Sequence, residues 1–86
     1  MYALEIIPEA DRIFRKLSRK NRPLIEAIEK KIAQIRENPH HFKPLRFPMN
    51  NKRRVHVGGS FVLIYEIRES DKTVKILDFD HHDNIY

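Results

Sequence analysis

The stretch Lys52-Arg53-Arg54-Val55-His56-Val57-Gly58-Gly59-Ser60-Phe61-Val62-Leu63-Ile64-Tyr65-Glu66-Ile67 joins the densest positive charge in the chain, through a glycine turn, to its most apolar run. Two β-prone segments bounded by Gly and polar residues read as a β-hairpin. Its register decides the faces, because a one-residue slip sends every side chain to the opposite side. A two-residue Gly58-Gly59 turn sets Arg54 and His56 opposite Leu63 and Phe61, mixing cations into the apolar face. A three-residue loop, Gly58 to Ser60, gathers Val55, Val57, Phe61, Leu63, Tyr65 and Ile67 on one face. It leaves Lys52, Arg54, His56, Val62, Ile64 and Glu66 on the other. We expect the second register, since buried apolar area stabilises by about 25 cal/mol per Å² whereas a buried unpaired charge costs several kcal/mol.

Upstream of the hairpin, Tyr2 to Ile7 reads as a short strand ended by Pro8, a residue suited to the first position of a helix. Ile7 has no capping side chain. Ala10, Ile13, Phe14 and Leu17 form one helical stripe, and Ser18 to Arg22 is a polar, basic break. A second helix begins near Asn21 or Arg22, before Pro23. It carries Leu24, Ile25, Ile28, Ile32 and Ile35 for about 15 residues and is stopped by Asn38-Pro39. Pro39 to Asn51 is a proline-stiffened connection that contains Phe42, Leu45, Phe47 and Met49, too apolar for a free linker. After the hairpin, Thr73 to Asp80 reads as a last strand with Leu77 and Phe79 on one side. Asp78, Asp80 and, if the chain stays extended, His82 lie on the other. The order β-α-α-β-β-β predicts an α+β fold in which a two-helix hairpin covers a mostly antiparallel four-stranded sheet, a single domain over residues 1–86.

Eighty-six residues permit one modest core. The chain has no cysteine, so disulfides, thiolate catalysis and cysteine zinc fingers are excluded. No apolar run is long enough for a signal or membrane segment, and a cytoplasmic location is expected. The net charge of +5 is uneven. Residues 1–56 carry 14 Lys/Arg against 6 Asp/Glu, and residues 57–86 carry 3 against 6. The basic part favours a polyanion or an acidic protein partner.

The open sheet face is expected to present Lys52, Arg54 and His56 with Asp80, His82 and Tyr86 from the tail. Such a set suits RNA cleavage without a metal or cofactor. A base takes the proton of the 2′-hydroxyl, cations stabilise the phosphorane, and an acid protonates the leaving 5′-oxygen. Histidine titrates nearest neutrality, arginine offers a fixed bidentate charge, and tyrosine can stack a splayed base. Arg53 and Arg54 equally suit the solvated edge of a sheet. His81-His82-Asp83 resembles a metal motif, but adjacent histidines on an extended chain point apart, so no metal site is expected. Tyr65 reads as core, and Asp80 either orients His82 or repels RNA.

The order of these parts resembles the RelE/ParE superfamily of toxins from type II toxin–antitoxin systems, over essentially the whole chain. The features are Pro-Glu-Ala opening a helix, a second helix ending Asn-Pro, the Pro-Leu-Arg connection, a basic strand, a Gly turn, Val-Leu-Ile-Tyr-Glu-Ile, and an ending His-x-x-x-Tyr. The RelE branch implies a ribosome-dependent mRNA endonuclease that acts on mRNA in the ribosomal A site. It also implies a cognate acidic RelB-like antitoxin in a hetero-oligomer. The resemblance assigns Arg54 to the phosphate and transition state, His82 to general acid as in YafQ-type members, and Tyr86 to base stacking or orientation. His56 is base or binder, and Lys52, Arg53 and Arg46 are RNA binders. Val62 replaces an arginine of RelE proper, and Asp80 a common glycine. Those departures keep open a ParE-like inhibitor of DNA gyrase or a degenerate binding module.

Overall fold

The computed structural model describes residues 1–49 and 51–85. The chain runs β1 (Ala3–Ile6), α1 (Pro8–Lys20), α2 (Arg22–Glu37), β2 (Lys52–Val57), β3 (Phe61–Arg68) and β4 (Thr73–His81). Short 3₁₀ turns at Pro39–His41 and His82–Asn84 complete it. The sheet order is β1-β4-β3-β2, with β1 parallel to β4 and the other pairs antiparallel. This is the expected α+β arrangement of two helices on a mostly antiparallel four-stranded sheet.

Pro8 opens α1 with its fixed φ and no N–H to leave unpaired, and Ile7 precedes it without a side-chain cap. Glu9 and Asp11 in the first turn and Arg19 and Lys20 in the last complement the helix dipole. The Leu24 N–H donates to the Asn21 side chain at 3.3 Å, which caps α2. The predicted stripe Leu24, Ile25, Ile28, Ile32 and Ile35 is buried throughout. It packs with Val55, Val57, Leu63, Tyr65, Val74, Ile76 and Phe79 from the sheet, and each such aliphatic side chain contributes about 1.5–3 kcal/mol. In α1 the stripe sinks less deeply. Ala10 and Phe14 are buried while Ile13 and Leu17 are partly covered.

Val57 pairs with Phe61, so the hairpin loop has three residues and the expected register holds. Gly58 and Gly59 adopt φ of 63° and 83°, the left-handed region that other residues enter at a cost. A Cβ on Gly58 would also stand 3.2 Å from Leu24 Cδ1.

The alternation expected for the last strand is broken. Tyr65 pairs with Ile76 and Ile64 with Asp78, which leaves Leu77 as the extra residue of a β-bulge. Ile76 therefore takes the core position beside Tyr65, and Leu77 is only half-buried. Beyond the bulge, Phe79 returns to the core while Asp78 and Asp80 face away.

The proline-stiffened connection runs along the outer edge of β2. Pro44 bridges to Arg53, the Leu45 N–H donates to the Lys52 carbonyl at 2.9 Å, and the Lys52 N–H to the Met49 carbonyl at 3.0 Å. The segment thereby covers an edge that would otherwise offer unpaired backbone groups. At its start the buried Tyr65 hydroxyl donates to the Pro39 carbonyl at 2.6 Å. Burial pushes that phenol up to about 12.

Candidate functional site

Arg53 and Arg54 are neighbours in sequence and opposites in space. Arg54 lies in the row Arg54–Ile64–Asp78 across the face away from the helices, and His56 lies in the next row, His56–Val62–Asp80. Arg53 pairs with Tyr65 on the helix side. Its guanidinium donates to the Phe42 carbonyl at 2.5 Å and reaches the His40 carbonyl at 3.5 Å. Arg53, expected as an RNA binder, thus lies on the opposite face from Arg54 and does not line the groove between the connection and β2. Its Nη1 is turned toward the backbone of the connection, because side chains alternate faces along a strand.

Between the connection and β2 lies a groove of about 740 Å³ lined by Lys43–Met49, Arg54 and His56. Among the described residues, Lys43, Arg46, Lys52 and Arg54 have no carboxylate within ion-pair distance. By contrast Arg68 binds Glu5 and Asp71, and Arg15 binds Asp11. Cations left unpaired in a concave site hold charge available to an anionic ligand. Phe47, 88% exposed, stands on the rim, and Met49 is 44% exposed beside it. Phe42 and Leu45 are half-buried as their apolar character predicts, so only part of the connection serves packing. Lys43 and Phe47 were missed as site residues. The only signal for them was their spacing around Arg46 in a segment too apolar for a linker.

The face away from the helices is not uniformly open. Val62 and Ile64 are 1% and 7% exposed yet lie outside the main core. They form an apolar strip between the cations of β2 and the acids Asp78 and Asp80 of β4. One side of the site is positive and the other negative. Lys52 falls in the row Lys52–Glu66–Lys75 and is half-buried.

His82 sits on the far side of β3 from Arg54. Its row lies four residues further along β4 than the Arg54 row, about 13 Å along and about 10 Å across by strand geometry. No hydrogen bond or ion pair joins the two among the described residues. The chain does not stay extended at this point. It turns into the 3₁₀ segment His82–Asn84, which contradicts the reason for expecting the histidine rings to diverge. Asp80 Oδ1 holds the turn, accepting from the His81 N–H at 2.7 Å and from Asn84 Nδ2 at 3.3 Å. The two rings come to 4.7 Å between centroids. His81 in turn sits edge-on to Phe61, which stacks on Phe79 in the core. His82 is fixed on the other side, its N–H and Nδ1 lying 2.9 and 3.1 Å from the Ser60 carbonyl. Its Nε2 faces Asp83 Oδ1 at 3.3 Å. Tyr86 lies outside the described residues.

A second polar cluster joins the connection to the start of the chain and to the β3–β4 turn. Glu69 accepts from the Tyr2 hydroxyl and pairs with His40 and Lys72 at 2.8, 2.8 and 3.1 Å. These partners hold its carboxyl down to about 2. No described helix is long and apolar enough to cross a membrane.

The sequence model of the ParE toxin of the type II toxin–antitoxin system parDE matches residues 4–86. A protein of Methanocaldococcus jannaschii named "Putative toxin RelE4" is 51% identical over 86 residues, covering all of this chain and 92% of that protein. An uncharacterised Methanosarcina mazei protein is 46% identical over the full length of both. Among solved structures, the isolated Escherichia coli RelE toxin superposes with a TM-score of 0.82 at 22% identity, covering 94% of this chain and 84% of that one. The Mycobacterium tuberculosis RelBE2 toxin–antitoxin complex gives 0.76 at 25% identity, over 94% and 98%. The family match over residues 4–86, with these relatives and this fold, means that the chain belongs to the ParE toxin family of type II toxin–antitoxin systems, within the RelE/ParE superfamily.

Proposed function

We propose that this toxin is a ribosome-dependent mRNA endonuclease that acts by 2′-hydroxyl attack and is neutralised by a cognate acidic, RelB-like antitoxin. The observation that carries the reading is the groove in which Lys43, Arg46 and Arg54 keep their charge unpaired beside the exposed His56. RNA backbone enters over these cations and crosses β3 above Val62 and Ile64 toward His82. The acidic row on β4 keeps the phosphates on the β2 side.

In the reaction the 2′-oxygen forms a bond to the adjacent phosphorus as a base takes its proton, and the bond to the 5′-oxygen breaks as an acid protonates it. The products are a 2′,3′-cyclic phosphate and a 5′-hydroxyl. Arg54 stabilises the charge on the non-bridging oxygens. His56 is base or phosphate binder, and His82 is the acid in its imidazolium form, its Nδ1–H held by the Ser60 carbonyl and its Nε2–H, beside Asp83, given to the leaving oxygen. Lys52 and Arg46 bind flanking phosphates, and Tyr86 stacks or orients a base. Arg54 and His82 stand in separate rows, so these roles require both side chains to converge on one phosphate, with the ribosome holding the message in place. The side chains alone supply an acid, a base and an electrophile, and the mechanism calls on no cofactor.

Neighbouring structures that are toxin–antitoxin complexes, including that of E. coli RelB and RelE, support the antitoxin partner. A basic surface on a small domain favours an acidic segment that folds on binding. Gel filtration with the product of the adjacent gene should shift both proteins to an earlier, shared volume.

The acidic row Asp78 and Asp80 and the buried Val62 favour one second reading, a gyrase inhibitor that acts by occupancy without cutting RNA. Stalled ribosomes programmed with a defined message separate the two. Under the nuclease reading wild-type toxin cuts the message to a cyclic-phosphate end, and His82→Ala and Arg54→Ala lose the cut while keeping the fold. An uncut message with inhibited supercoiling would replace it.

A further inference from the structure

The turn that ends β4 gathers around His82 two further residues, His81 and Asp83, that the cleavage reaction does not use. His81 Nδ1 lies 3.4 Å from Asp83 Oδ2, and His82 Nε2 lies 3.3 Å from Asp83 Oδ1. The donor atoms of the three residues all fall within 4.8 Å of one another. Zinc bonds of 2.0–2.2 Å to nitrogen and oxygen set tetrahedral edges of about 3.3–3.5 Å; each imidazole nitrogen sits at that spacing from a different oxygen of Asp83, so the carboxylate binds through both oxygens or turns to present one. The ring chemistry agrees. The Ser60 carbonyl, 3.1 Å from His82 Nδ1, can only accept and therefore takes the proton there, leaving the Nε2 lone pair for a cation. A backbone carbonyl on the remote nitrogen is the partner that orients metal-bound histidines. His81 Nδ1 accepts from the Asp83 N–H at 3.2 Å, so it too presents a lone pair, which an ion would take over.

The support beneath these ligands is built in. Asp80 clamps the turn through the His81 N–H and Asn84, and Phe61 backs the His81 ring. The side chains of His81, His82 and Asp83 are 38%, 52% and 72% exposed, so an ion and its remaining water ligands have access.

We propose that His81, His82 and Asp83 bind one divalent transition-metal ion of the zinc, nickel or copper type, and that the ion silences the toxin by occupying His82 Nε2. Two imidazoles and a carboxylate suit that group of metals better than magnesium or calcium, which prefer all-oxygen sites. The silencing rests on the nuclease reading above; the binding does not.

Calorimetric titration of zinc chloride into the full-length, antitoxin-free toxin tests the site. One ion per chain is expected, with affinity falling about tenfold or more in His81→Ala and in Asp83→Ala and unchanged in His41→Ala. The nitrogen-15 resonances of His81 Nδ1 and His82 Nε2 should move with the first equivalent. Asp83 is a surface side chain, so Asp83→Ala keeps the fold if the loss of His81 packing on Phe61 does not. Failure to saturate, or equal zinc binding by both variants, overturns the site. In the ribosome assay, zinc should block cleavage by wild type and not by Asp83→Ala. Zinc bound at the site with cleavage unimpeded overturns the silencing. Zinc bound with no cleavage by the metal-free toxin leaves the site standing and overturns the nuclease reading together with the silencing drawn from it.

Discussion

Replacing Arg53 and Arg54 one at a time by alanine separates structural from functional charge at adjacent positions. Arg53→Ala removes a charged donor from the Phe42 carbonyl, a 2.5 Å contact, and strips an aliphatic stem from beside Tyr65. Hydrogen bonds to charged groups contribute about 1.5–3 kcal/mol; Arg53 is half-buried, so water reclaims part of that. A loss of about 1–2 kcal/mol remains, which for a domain of this size lowers Tm by about 5–15 °C. Arg54→Ala removes a side chain with no ion-pair partner among the described residues and should stay within about 0.5 kcal/mol of wild type. Its effect falls on RNA. Loss of one phosphate contact weakens binding and reduces the slope of log K against log salt by about 0.7 for a single strand. Thermal melts followed by circular dichroism, with anisotropy of a labelled single-stranded RNA across a salt series, measure both. If Arg53→Ala melts with wild type and loses as much RNA affinity as Arg54→Ala, the assignment of faces is wrong.

Tyr65→Phe leaves the Pro39 carbonyl buried without its 2.6 Å donor and should cost about 1–3 kcal/mol, read from urea midpoints at unchanged m. Because burial raises the Tyr65 phenol to about 12, its share of stability is complete below the ordinary value of 10.0 and is lost as pH climbs toward 12. Ultraviolet titration should show one tyrosine ionising only as the chain unfolds. Glu69 shows the opposite sign. Its carboxyl, lowered from 4.5 to about 2, stabilises above pH 4.5 and ceases to as pH falls through 2. The Tm difference between wild type and Glu69→Gln should therefore vanish across that window. Phe47→Ala, at a position 88% exposed, should leave stability unchanged but weaken RNA binding by about 1–3 kcal/mol with the salt slope intact, as loss of a stacking platform requires.

Periodicity carried most of the fold. The α2 stripe reads directly from five apolar residues at helical spacing, and the hairpin register from the energetic penalty of placing Arg54 against Leu63. The pairing of β1 with β4 was not legible, because four residues of loose alternation do not name their neighbour. Neither was the Leu77 bulge, since Leu77 is as apolar as Ile76 and only the ladder tells which one turns inward. Arg54 and His56 were legible as a pair on one strand. Arg53 was grouped with Arg54 by charge, and its place on the other face of β2 was not read from the sequence. The convergence of His81 and His82 depends on Asp80 and Asn84 closing a turn four residues apart, a local choice that composition leaves open. Lys43 and Phe47 face the groove only because Pro44 and Leu45 pair along β2.

Wild type and His82→Ala should be induced in cells without antitoxin and new mRNA 5′ ends mapped within minutes, with plasmid supercoiling followed in the same cultures. Cuts confined to translated regions, present with wild type and absent with His82→Ala, are the predicted result. Growth arrest with intact messages and relaxed plasmid would contradict it and identify a gyrase poison on the same fold.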